Sequence, residues 1–104
     1  MYNLFLDDNR LPQLCRHYQG DESIYDTEEF IVVKTFDEFY STIKKMGIPK
    51  FVSFDYDLNQ KETGLDCASF LKFECDELGV AVPEYRVHSA WLGITSDFDT
   101  ILKS

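Results

Sequence analysis

Apolar and polar positions along the chain sort into short apolar runs that stop at acids and longer stretches with helical spacing. Asn3 to Leu6 is an apolar run that ends at Asp7-Asp8-Asn9-Arg10, which predicts a buried first strand carrying two carboxylates at its C-terminal end. The following segment holds Pro12, Gly20 and the acids Asp21, Glu22, Asp26, Glu28 and Glu29. These interrupt any long helix, so 9–30 reads as irregular, with one turn at most over 14–18. Ile31-Val32-Val33 predicts a second strand.

Thr35-Phe36-Asp37-Glu38 has the spacing of a capping box, in which the Thr35 hydroxyl accepts from the Glu38 amide and Glu38 reaches back. Phe36, Phe39, Tyr40, Ile43 and Met46 then recur at helical spacing until Gly47 and Pro49 stop the helix. Phe51 to Phe54 predicts a third strand, again ending in acid at Asp55-Tyr56-Asp57. After a loop over 59–64, Cys67, Phe70, Leu71, Cys75 and Leu78 line one face of a second helix closed by Gly79 and Pro83. Tyr85 to His88 predicts a fourth strand leading into Ser89-Ala90, and Ser96 is placed to cap a last short helix carrying Ile101 and Leu102. Alternating strands and helices predict an α/β fold: a small, doubly wound, mostly parallel four-stranded sheet covered on both faces.

Length and composition narrow the function classes. A chain of 104 residues has room for one domain, 1–104, and 44% hydrophobic with 15% aromatic residues excludes a disordered chain. The net charge of -9 repels a phosphate backbone and excludes extended nucleic-acid binding. No apolar run approaches the roughly 20 residues that span a bilayer, and the N-terminus lacks the basic start of a signal peptide, so a cytoplasmic protein without membrane contact is expected. Cys15, Cys67 and Cys75 form an odd set without metal-finger spacing. Cys67 and Cys75, roughly 12 Å apart along one helix, are too distant to bridge and read as small core hydrophobes.

Candidate chemistry gathers where the strands end. In an open parallel sheet the crevice lies beyond the carboxyl ends of the strands, and there the chain places Asp7 and Asp8, Asp55 and Asp57, then His88 and Ser89. Converging carboxylates repel one another, and a divalent cation relieves that repulsion, the oxygen ligands suiting Mg²⁺, Mn²⁺ or Ca²⁺. The alternative is that each acid is an ordinary strand-to-loop residue. Asp55 and Asp57 share a side if the extended geometry continues past the strand. Several other residues carry two readings. Arg10 is a phosphate clamp or an ion-pair partner of the acids before it, and His88 is a general acid or base or a structural histidine. Thr63-Gly64 either offers helix-start amides to an anion or simply caps the helix. His17 lies in the acidic loop and reads as solvent-exposed.

Four ordered stretches carry a resemblance: 4–12, LFLDDNRLP; 52–58, VSFDYDL; 63–67, TGLDC; and 87–90, VHSA. They resemble the cyclic-phosphate processing receiver-like family, whose pattern runs LFLDDxRxP, an SFDHDL-like strand end, TGxD and HSxN. The resemblance covers nearly the whole chain and implies a modified, flavodoxin-like receiver fold, here truncated and with its first helix replaced by the irregular segment. By resemblance, Asp7, Asp8 and Arg10 match the first motif, Asp55 and Asp57 the second, Thr63, Gly64 and Asp66 the third, and His88 and Ser89 the fourth. Lys34 stands where relatives tend to have arginine. Tyr56 replaces the histidine between the two acids, and Trp91 replaces the terminal asparagine. The lysine that ends the fifth strand of signalling receivers has no counterpart before the terminal Lys103.

The implied activity is that of a metal-dependent phosphoesterase, a hydrolase opening a 2′,3′-cyclic phosphate end or a cyclic nucleotide. On this reading Asp7, Asp8 and Asp57 hold the cation, and Arg10, Lys34, Thr63 and Gly64 bind the phosphate. His88, Ser89 and Asp55 serve the reaction, with His88 protonating the leaving alkoxide. The alternative is a non-catalytic receiver-like module that binds a phosphate ligand or a protein partner. The two departures motivate it.

Overall fold

A computed structural model of the protein describes residues 2–8, 29–88 and 93–104. The strands are β1 (Asn3–Leu6), β2 (Phe30–Val33), β3 (Phe51–Phe54) and β4 (Glu84–Val87), and the helices α1 (Phe36–Met46), α2 (Gly64–Leu78) and α3 (Ile94–Leu102). The strands form one sheet in the order β2-β1-β3-β4, every neighbouring pair parallel. The chain steps one way from β1 to β2 and the other way from β2 over β1 to β3. The crevice of the sheet therefore falls between β1 and β3.

Side chains alternate between the two faces of each strand. Leu4 and Leu6, Val33, Val52 and Phe54, and Val87 enter one core with Phe39 and Ile43 of α1, Cys67, Ala68, Leu71 and Cys75 of α2, and Ile94, Phe98 and Leu102 of α3. All three described helices thus share one face. The steps β2 to β3 and β3 to β4 run in the same direction across the sheet, so right-handed crossovers put α1 and α2 on the same side. Phe54 is the hub, with ring centroids 5.9 Å from Phe39, 5.1 Å from Phe98 and 6.3 Å from Tyr85. Asn3, Phe5, Phe51 and Ser53 occupy the opposite face and are buried there as well.

The predicted helix starts are present at α1 and α2. Thr35 accepts from the Glu38 amide at 3.1 Å, although Glu38 reaches back to the amide of Lys34 rather than to that of Thr35 itself. Thr63 and Asp66 make a reciprocal capping box. At α3 the expectation is corrected: Gly93, not Ser96, is the N-cap, and no side chain caps this helix. The apolar stripes are narrower than the sequence pattern suggests, since Tyr40, Met46 and Leu78 are exposed. Phe70 instead bridges α1 and α2, its ring centroid 4.8 Å from Tyr40. Of the predicted irregular segment, residues 9–28 with Cys15 and His17 lie outside the described residues, as do 89–92 with Trp91, while Phe30 belongs to β2. Among those that are described, no helix is long and apolar enough to cross a membrane.

Candidate functional site

The pairing of β1, β3 and β4 aligns Leu6, Phe54 and Val87 on one level of the sheet. Asp7, Asp55 and His88 form the next level, just past the strand ends. The ladder continues to hold their backbones, because Asp7 N–H donates to Val33 O at 3.1 Å, Asp55 N–H to Leu6 O at 3.0 Å, and His88 N–H to Phe54 O at 2.9 Å. Two-residue alternation turns all three side chains to the face opposite the helices. There they are buried, Asp7 at 1%, Asp55 at 5% and His88 at 0% exposure.

One ligand-capable atom from each of the three lies within 4.8 Å of those of the other two. His88 reaches from β4 across β3 to β1, where its ring stacks on Phe5 with centroids 4.5 Å apart and planes 2° from parallel. Its Nε2 is 3.0 Å from Asp7 Oδ2, and its Nδ1 is 2.6 Å from Ser53 Oγ. Asp55 Oδ1 accepts from the Tyr56 amide at 2.9 Å. Two buried carboxylates so close suit a hard divalent cation bound through oxygen. The imidazole, with both ring nitrogens in hydrogen bonds, fits beside such an ion as a support for Asp7.

The remaining predicted site residues are dispersed. Asp8 follows Asp7 and is half-buried, and Asp57 is exposed. The extended geometry does not continue past β3, which corrects the expectation that Asp55 and Asp57 face the crevice together. Instead, Asp57 Oδ1 accepts from the Asn59 amide at 2.8 Å, in a turn where Asn59 adopts a φ of 55°. Lys34 is exposed at the same end of the sheet, just after β2. The amides around the start of α2 are all in use: Thr63 donates to Asp66, Gly64 to Tyr56 O, Leu65 to the Thr63 hydroxyl, and Asp66 to Thr63 O. Of the two sequence readings of Thr63-Gly64, the geometry is that of the helix cap. Arg10 and Ser89 lie outside the described residues.

Two site residues escaped the sequence reading, Ser53 and Phe5. A signal for Ser53 existed, since a lone hydroxyl inside the apolar run Phe51–Phe54 requires a buried partner. Phe5 carried none, because any apolar residue in a buried strand reads as core.

A parallel 2-1-3-4 sheet with buried acids at the carboxyl edge of its β1/β3 crevice defines a receiver-like α/β domain. The family model described as cyclic-phosphate processing receiver domain matches residues 2–97, and the chain belongs to that family. No curated protein and no solved structure matches it.

Proposed function

We propose that the protein is a metal-dependent phosphoesterase that opens a cyclic phosphate, either a 2′,3′-cyclic phosphate end or a cyclic nucleotide. The observation that carries this reading is the buried Asp7, Asp55 and His88 level at the crevice of a cyclic-phosphate processing receiver domain. Asp7 and Asp55 would hold the cation, with Asp8 beside them, while exposed Asp57 adds only longer-range charge. A bound Mg²⁺ or Mn²⁺ supplies Lewis-acid polarisation of the phosphoryl oxygens and a more acidic water. Hydrolysis adds water at phosphorus and breaks one ester bond, and the proton that the water gives up balances the one the released alkoxide takes up. Lys34 and Arg10 offset the phosphate charge, and Ser89 donates a hydrogen bond to it. His88 has no exposure, so on this reading it acts on the crevice through Asp7 rather than meeting the leaving group.

The test is incubation of the chain with Mg²⁺ or Mn²⁺ and a panel of 2′,3′- and 3′,5′-cyclic nucleotides and cyclic-phosphate-ended RNA, followed by ³¹P NMR. Ring opening is expected to stop with EDTA and to fall about a hundredfold in Asp55→Asn, the scale of losing one well-placed electrostatic group. Absence of turnover with folded protein across both ring sizes overturns the enzyme. The same burial of His88 favours a second reading, a module that binds a phosphate ligand without cleaving it. Calorimetric binding with the ligand recovered intact is its signature.

A further inference from the structure

The three side chains that meet at the strand ends invite the assumption that all three ligate one ion, but the hydrogen bonds of His88 divide the labour differently. An ionised Asp7 carboxylate only accepts, so the 3.0 Å contact to its Oδ2 requires a proton on His88 Nε2. A nitrogen that carries a proton has no lone pair for a metal. On the other side of the ring, Ser53 Oγ lies 2.6 Å from Nδ1. A hydroxyl donates as readily as it accepts, and donation to Nδ1 fills the one acceptor site of a neutral imidazole protonated at Nε2. Phe5, stacked 4.5 Å away with planes 2° from parallel, restrains the ring from tilting out of this line.

We infer that His88 is not a ligand of the cation but the donor that aims Asp7 at it, and that Ser53 is the positioning residue that holds the His88 proton on Nε2. The inference rests on the cation site proposed above. Hydrogen bonding around a metal site commonly fixes a ligand's orientation, and here the usual order is reversed: the histidine orients the carboxylate. Ser53 is suited to this by size as well as chemistry. It sits fully buried in β3, the strand that the imidazole must cross to reach β1, and a larger side chain would occupy the path. Ser53 is not itself a nucleophile candidate, because it has no exposure.

The experiment is long-range ¹H–¹⁵N correlation NMR of histidine-labelled protein, with His17→Gln used to assign the two rings, in EDTA and with Mg²⁺. Expected is a protonated Nε2 and a bare, hydrogen-bonded Nδ1 in both states. In Ser53→Ala the Nδ1 hydrogen-bond signature should vanish, and Mn²⁺ affinity, read by electron paramagnetic resonance, should fall about tenfold. A proton on Nδ1 with Nε2 bare in the Mg²⁺ form would make His88 a ligand and overturn the inference. Unchanged ring signals and unchanged Mn²⁺ affinity in Ser53→Ala would overturn the role of Ser53. If the wild type binds no Mn²⁺, the cation site fails, while the spectrum in EDTA still decides which nitrogen Ser53 leaves protonated.

Discussion

At Gly64 a Cβ would stand 1.7 Å from the carbonyl oxygen of Asp55 and 3.0 Å from the ring of Phe98. The first residue of α2 therefore has to be glycine for the helix to close on the backbone of a site residue. Gly64→Ala is expected to cost about 3 kcal/mol in urea unfolding, since backbone rather than a flexible side chain must move. Gly79, which ends α2 at a φ of 68° with open space around it, should lose only about 1 kcal/mol on the same substitution. Equal costs would show that the close approach to Asp55 is not limiting. Tyr2 offers a pH test. Its hydroxyl donates to Gly47 O at 2.5 Å, and burial pushes it up from an ordinary 10.0 to about 12. A phenol harder to ionise when folded contributes stability that is whole below pH 10 and lost as pH rises through about 12. Tyr2→Phe should flatten that part of the alkaline stability curve.

At the scale of elements, α1 and α2 begin with side-chain caps and α3 does not. Thr63→Ala removes the acceptor for the Leu65 amide while the backbone N–H at 63 still donates to Asp66, so a loss of about 1 kcal/mol is expected, with recovery in Thr63→Ser. Because the same residues close the loop that carries Asp57, hydrogen exchange of the α2 first turn should quicken in Thr63→Ala, while that of α3 stays as it is. Exchange spreading evenly through all three helices would contradict an independent cap. The buried thiols belong to this scale too. Burial pushes Cys67 and Cys75 up, which fits core packing of α2 rather than reactivity.

Over the whole molecule the governing property is charge, with 19 Asp and Glu against 10 Lys and Arg. Self-repulsion should be relieved by plain salt, and the melting temperature should climb by a few degrees from about 0.01 M to about 0.15 M NaCl as the Debye length falls from about 30 Å to about 8 Å. Site binding differs from screening in being saturable. Millimolar Mg²⁺ added at matched ionic strength should raise the melting temperature further, and Asp55→Asn should abolish that increment while keeping the response to NaCl. An identical Mg²⁺ response in both proteins would reduce the cation effect to screening.

Strands β1 and β3, the two capped helices, and the rule that polar residues wait at the strand ends were all legible in the amino-acid order, because they depend on local periodicity, caps and breakers. The same order carried the four motifs that place the chain in its family. Which acids meet depends instead on the assembled sheet. Asp7 and Asp8 are neighbours in sequence, Asp55 and Asp57 are separated by Tyr56 alone, and nothing local says which of each pair turns inward. Register and two-residue alternation select Asp7 and Asp55 and bring them level with His88, whereas the turn after β3 sends Asp57 to solvent. The role of Ser53 is equally non-local: it depends on a histidine 35 residues later lying across the strand between its own and that of Asp7. Side-chain chemistry is written in the sequence, but hydrogen-bond partners separated by 81 residues, as His88 and Asp7 are, exist only once the strands have paired.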